Sequence, residues 1–186
     1  MGMIRIAYRK ERYRKLLADM VDEEDTVIEV GPHLGESTRG YVKKAKKVVA
    51  VDKSVQAREA MNELQAEYGN LVFVEGDVRS FETVEAVMDE TRGCDLLAVD
   101  MGGGRYPDTV FKVWATFSGV FEPMKSLIRN RGLAEFVQRV EVADESVIRD
   151  FPVNGWLSEY GRGMPYKLKK QLDEFRFWVD ITEKLE

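Results

Sequence analysis

A single cysteine, Cys94, among 186 residues excludes an intrachain disulfide and any metal site built from several thiolates. It stands where the apolar run toward Asp100 begins, which suits a small buried core residue and not a nucleophile. There is one histidine, His33, so neither a histidine-rich metal site nor a pair of catalytic histidines exists. The N-terminus has no apolar signal core and no run approaches membrane-spanning length, so no membrane partner is expected and the expected location is cytoplasmic. Neither sign of charge dominates. With 28 basic against 33 acidic residues, the net charge of −5 gives no general pull toward nucleic acid or anionic lipid.

Locally the charge is uneven. Residues 1–20 hold Arg5, Arg9, Lys10, Arg12, Arg14 and Lys15 against Glu11 and Asp19, which reads first as a solvated helix face and second as a basic patch. An apolar fraction of 44% and three tryptophans place the chain among ordinary globular proteins. At this length one domain is expected over 1–186, with an N-terminal helix in 1–25, a core over 26–142 and an extension over 143–186. Repeats, low-complexity tracts and clear linkers are all lacking.

What is present is a recurring strand that ends in an acid. TVIEVGPHLGEST (26–38) is a β-branched run carrying Glu29, a turn with Gly31 and Gly35, and the expected start of a helix. Three further strand-like runs end at Asp52, Asp77 and Asp100, spaced 25 and 23 residues apart, about one strand and one helix each. Periodicity predicts a helix over 8–23, with Tyr13, Leu16, Leu17 and Met20 on one face, and strands at 26–30, 48–51, 71–74 and 95–99. Helices are predicted from about 35 to 47, from Ser54 to Tyr68, and from Ser80 to Gly93, the latter two opening on serine caps. Strand alternating with helix argues an α/β fold, a three-layer Rossmann-like sandwich with a mostly parallel central sheet. Such sheets bind ligands at the carboxyl ends of their strands, where these acids would gather.

After Asp100 comes a glycine-rich loop, 101–107, then an aromatic helix from Asp108 to about Phe121 with Phe111, Trp114 and Phe117. These aromatics read as core, with a homodimer contact through 108–121 or an aromatic substrate wall as the alternatives. A short helix is predicted to Asn130, then a fifth strand in which Ala134, Phe136, Val140 and Val142 alternate. In the extension, Leu168, Leu172 and Phe175 suit a helix passing into a strand with Phe177, Val179 and Ile181. Trp156–Lys170 mixes aromatics with basic residues, which reads as a solvated surface before it reads as an RNA groove, so nucleic acid is not the favoured partner.

A dinucleotide fingerprint aligned on Gly31 would need glycines where His33 and Glu36 stand. Glu36 would also set a carboxylate beside a pyrophosphate. The chain instead resembles the class I S-adenosylmethionine-dependent methyltransferases over roughly 26–142. The family's acid followed by GxGxG is matched by Glu29, Gly31, His33 and Gly35, with the middle glycine missing. The resemblance implies a ribose-binding acid at Asp52, an adenine-contacting acid at Asp77 in EGDV, and Asp100 beside the transferred methyl group as the candidate catalytic residue. Lys53 and Val78 complete the expected cofactor-binding set. S-adenosylmethionine carries an ammonium and a sulfonium, which favour carboxylates, and ribose hydroxyls can donate charge-assisted hydrogen bonds to an acid.

Each residue has a structural alternative. Glu29, inside an apolar strand, calls for a ligand or a basic partner. Asp52 competes with a capping role, and Asp77 with an ion pair to Arg79. Asp100 competes with a strand cap or a pair with Arg105. His33 is either a hydrogen-bonding contact or proton acceptor in the cofactor loop, or a tolerated exposed loop residue. The asparagine/aspartate-proline-proline-aromatic motif of exocyclic amine methylation is absent after Asp100, where DMGGG stands. The metal-dependent O-methyltransferases are similar at Asp100, but further oxygen ligands are not assignable and no metal is expected. The resemblance thus implies methyl transfer to an unidentified acceptor. The rivals are a non-catalytic S-adenosylmethionine-binding protein and a nucleotide-dependent oxidoreductase.

Overall fold

The computed structural model describes residues 3–102, 105–144 and 153–157. The predicted helix and strand around 168–181, and residues 158–170 of the basic aromatic segment, lie outside the described residues. Among those described, the strands are β1 (Ile4–Ala7), β2 (Thr26–Val30), β3 (Lys47–Asp52), β4 (Leu71–Glu75), β5 (Leu96–Asp100) and β6 (Lys125–Arg129). The helices are α1 (Lys10–Met20), α2 (Val55–Glu67), α3 (Phe81–Glu90), α4 (Pro107–Phe121) and α5 (Arg131–Arg139).

The strands form one sheet in the order β1-β6-β5-β2-β3-β4, parallel at every pairing. Strands of this kind are covered on both faces and so read as nearly unbroken apolar runs. One face, with Val27, Val48, Ala50, Leu96, Ala98 and Leu127, packs on Tyr13 and Leu17 of α1 and Met61 and Leu64 of α2. The other, with Ile28, Val30, Val49, Leu97 and Val99, packs on Val84 and Val87 of α3 and Trp114 and Phe117 of α4. Each fully buried aliphatic side chain stabilises this sandwich by about 1.5–3 kcal/mol. The serine caps are in place: Ser54 Oγ accepts from Ala57 N at 3.2 Å and Ser80 Oγ from Thr83 N at 3.3 Å.

Three local expectations are corrected. β1 lies where no strand was predicted and pairs with β6. Residues 35–47 form no α-helix, only a 3-10 turn at Thr38–Gly40 among other turns. The segment before Asn130 is a strand, β6, and the one after it is a helix, α5. The reason is Asn130, whose side-chain oxygen accepts from Leu133 N at 2.9 Å and caps α5. It places Leu133, Phe136, Val137 and Val140 at helical spacing, while Leu127 and Ile128 are buried in the sheet. Trp114, Phe117 and Phe121 are buried, and Trp114 Nε1 donates to Ser126 Oγ at 3.0 Å. The aromatic segment is core, as first read from the sequence, and of its rings Phe111 alone is exposed, at 37%.

Candidate functional site

A cleft of about 800 Å³ runs along the carboxyl ends of the strands. The chain leaves β2 toward β3 on one side, while β5 lies on the other, so the cleft straddles the point where strand order reverses. That is where open α/β sheets bind ligands, and the size suits a small-molecule cofactor. Its walls include Gly31, His33, Asp52, Lys53, Asp77, Val78, Asp100 and Gly102. Gly103 and Gly104 lie outside the described residues.

The turn after β2 is built by steric need. Gly31 has φ +80°, and a Cβ there would overlap the carbonyl oxygen of Asp100. Gly35, at φ +74°, leaves no room for a side chain against Met61 and Leu64. Between them His33 adopts φ +52°, the left-handed region that the family's middle glycine would enter freely. Histidine tolerates that region better than most residues, so the turn survives the substitution.

Asp52, at the end of β3, accepts from His33 N at 3.2 Å through Oδ2 and from Ser54 N at 2.9 Å through Oδ1. A carboxylate has about four lone-pair sites, so one acceptor position on each oxygen is still open among the described residues. Asp77 differs. Its Oδ1 accepts from Arg79 N at 3.1 Å and Arg79 Nε at 2.8 Å, and its Oδ2 from an Arg79 terminal nitrogen at 2.5 Å and Lys53 Nζ at 3.1 Å. Every lone pair is engaged. The Arg79 fork, opposed by burial and helped by Lys53, holds Asp77 well below the usual carboxylate range. Of the two roles weighed for Asp77, the ion pair with Arg79 is present in the fold.

Asp100, at the end of β5, is gripped by Arg129 from the neighbouring β6, whose Nη1 donates to Oδ1 at 3.0 Å and Oδ2 at 2.8 Å. The two side chains are 16% and 18% exposed. Strand register sets this pairing, since Asp100 and Arg129 are direct partners across β5 and β6. The partner expected from sequence, Arg105, is replaced by Arg129.

Glu29 does not line the cleft. It shares the sheet face of Val27, which turns it toward α1 beneath the cleft floor, flanked in register by Ala50 and Ala98. It is fully buried, and its Oε2 accepts from Thr38 Oγ1 and Tyr41 Oη, both at 2.7 Å. The 3-10 turn aligns residues three apart, which brings both donors to one carboxylate. Burial raises Glu29 from 4.5 to about 7, against the opposing pull of the two hydrogen bonds. Its Oε1 has no partner among the described residues, nor have the buried Tyr13 Oη, Arg14 Nε and Arg129 Nε.

Several wall residues escaped the sequence reading. Lys10 and Arg14 reach the cleft from α1 and meet Glu36, Arg14 as a close ion pair and Lys10 at 3.9 Å. Their four-residue spacing on one helix face was the available signal. Arg129 and Tyr106 also line the cleft, and no local motif marks either of them.

No family model matches the chain. The ribosomal RNA small subunit methyltransferase A of Staphylococcus carnosus is 34% identical over 82 residues, which is 44% of this chain and 28% of that protein. The same-named protein of Staphylococcus haemolyticus is 29% identical over an equal span. The match thus spans under a third of the length of these curated relatives. An rRNA methylase from Streptococcus thermophilus superimposes with a TM-score of 0.51 at 19% identity, covering 70% of this chain and 78% of that one. The chain has the Rossmann-like fold of the class I methyltransferases. Within that fold, β2 to β5 carry the cleft and its acids, and no described helix is long and apolar enough to cross a membrane.

Proposed function

We propose that this chain is an S-adenosylmethionine-dependent methyltransferase whose acceptor is RNA. The observation that carries the reading is Asp52. It stands at the strand-order reversal beside a tight glycine turn, with one acceptor position open on each oxygen, which suits the two hydroxyls of a ribose. When bound, S-adenosylmethionine supplies a methyl group on a sulfonium, a good leaving group. The chain's own part is then to hold the two reactants in line about 3–3.5 Å apart and to keep water out. Gly31 lets the backbone come close, and Val78, 8% exposed, offers an apolar wall. In this proposal Asp100, steadied by Arg129, fixes charge near the reacting centre. With Asp77 fully engaged, an adenine amine would reach its carboxylate only by displacing Arg79 or Lys53.

RNA is favoured as the acceptor because both curated relatives are ribosomal RNA methyltransferases by name. This reverses the preference taken from composition. The oxidoreductase reading loses ground on the segment after Gly31. A dinucleotide pyrophosphate rests on a helix N-terminus, and only a three-residue 3-10 turn follows here. The test is calorimetric titration with S-adenosylmethionine and with NAD, followed by transfer of labelled methyl to ribosomal RNA. Binding of the first alone, weakened about 10- to 150-fold in Asp52→Ala, is expected from the loss of about 1.5–3 kcal/mol of charge-assisted hydrogen bonding. Equal affinity in a folded Asp52→Ala variant would remove the ribose role. Binding without any transfer would favour the non-catalytic alternative.

A further inference from the structure

The carboxyl edge of the sheet changes character past β5. The β3–β4 side of the cleft presents Asp52 and Asp77, whereas the loops after β5, β6 and β1 present Tyr8, Arg9, Arg105, Tyr106 and Arg131. One buried residue ties these loops together. Asn130 N donates to Ala7 O at 2.9 Å, and Asn130 Nδ2 donates to Arg105 O at 3.1 Å. Tyr8–Arg9 and Arg105–Tyr106 are therefore anchored on either side of the end of β6, with Arg131 following directly. The rings are open to solvent, Tyr8 being 45% and Tyr106 67% exposed. Arg9 lies over the Tyr8 ring, 6.0 Å from its centroid. All three arginines are exposed, and none makes an ion pair with a described residue.

Tyr106 is also held against its preference. Its φ of +55° and ψ of +57° are left-handed, a conformation unfavourable to a bulky residue. The Asn130 contact on one side and Pro107 packed near Gly132 on the other keep it there. Strain of this kind persists where surrounding structure imposes it, and such residues cluster at functional sites. Here it sets an exposed ring on the wall of the cleft.

We propose that this rim binds a single-stranded stretch of RNA, with the two tyrosine rings stacking on unpaired bases and the three arginines meeting its phosphates. The proposal rests on the RNA methyltransferase reading and adds to it the surface and the form of the acceptor. Single strands are the match because a stacking ring needs an open base face, which a duplex conceals. Local cations suit phosphates although the whole chain is acidic, since Asp77 and its partners lie on the far side of the cleft and Asp100 is neutralised by Arg129.

The test is fluorescence anisotropy with a short fluorescein-labelled single-stranded oligoribonucleotide of mixed sequence, compared with its duplex. The single strand should bind more tightly. Tyr8→Ala and Tyr106→Ala should each weaken it by about 5- to 150-fold, the range for loss of one stacked base, while Tyr106→Phe keeps binding within about twofold. Replacing Arg9, Arg105 and Arg131 with glutamine should flatten the slope of log affinity against log salt by about 2, at roughly 0.7 per phosphate contact. Tight binding that the two alanine variants leave unchanged, a duplex bound as well as the strand, or no binding at all would overturn the proposal. Titrating S-adenosylmethionine into the wild type and Tyr8→Ala in parallel keeps the two readings apart. Failure of both to bind it removes the enzyme reading, and intact cofactor binding with an indifferent rim removes this inference alone.

Discussion

Glu29→Gln should make the fold more stable at alkaline pH than at acid pH, relative to the native chain. Burial raises Glu29 from 4.5 to about 7, so the fold prefers its protonated form. For a group raised in this way, the stabilising contribution is complete below about 4.5 and is lost as pH climbs through about 7. The interval corresponds to about 3 kcal/mol, most of it falling between pH 5 and pH 8. Glutamine is neutral throughout, and its carbonyl can accept from Thr38 and Tyr41 as the native Oε2 does. Its amide would occupy the place of Oε1, which has no partner among the described residues, at a cost of about 1–3 kcal/mol. The variant should therefore be less stable than the native chain at pH 5 and equal or superior at pH 8. Urea denaturation at four pH values between 5 and 8 measures the difference, and every other titrating group cancels between the two proteins. A difference that stays flat across this range would mean that Glu29 is ionised in the neutral fold, and the burial argument would be wrong.

Three further outcomes follow from the cleft. His33→Gly relieves a left-handed residue and should stabilise the fold by about 1 kcal/mol, measured by thermal melting; S-adenosylmethionine affinity should hold within about tenfold, and abolished binding would make His33 a direct contact. Arg79→Ala frees acceptor positions on Asp77, so affinity for the cofactor should rise or hold by calorimetry; a loss above tenfold would place Arg79 itself in the site. Asp100→Asn strands a largely buried Arg129 and should lower stability by about 3–5 kcal/mol, with Asp100→Asn/Arg129→Met recovering most of it. Single-turnover methyl transfer per folded molecule should fall further than cofactor binding in Asp100→Asn; normal turnover would leave Asp100 a purely structural partner of Arg129.

The parts of the fold that the sequence announced are those where pattern and burial coincide. β2 to β5 are apolar runs of five or six residues, each ending at or near a carboxylate, and α2 and α3 open on serine caps that bond as expected. Pattern failed where a short segment is governed by one tertiary contact. β1 has four residues with Arg5 among them, and it becomes a strand because β6 offers it an edge. β6 and α5 exchange their predicted types because Asn130 caps forward, a fact that periodicity on either side does not encode. Residues 35–47 have helical composition, yet Thr38 and Tyr41 both turn inward to one carboxylate and the segment winds as a 3-10 turn.

The candidate site shows the same limit more sharply, because Asp52 and Asp77 look alike in the sequence. Each follows an apolar strand, and each is followed within two residues by a basic or polar side chain. Asp52 is followed by Lys53 and Ser54, and Lys53 turns away to Asp77 while Ser54 offers only its backbone N–H. Asp77 is followed by Arg79, whose fork folds back on it and, with Lys53, takes every lone pair. One carboxylate is left able to accept from a ligand and the other is already satisfied, although both are aspartates at strand ends with a basic residue close behind. Arg79 reaches Asp77 locally, two residues along the same loop, whereas Lys53 reaches it across the ends of β3 and β4, which are paired in register at Asp52 and Glu75. That register places Asp77 within reach of the lysine that follows Asp52, so the sheet itself divides the two acids into an open acceptor and a closed one.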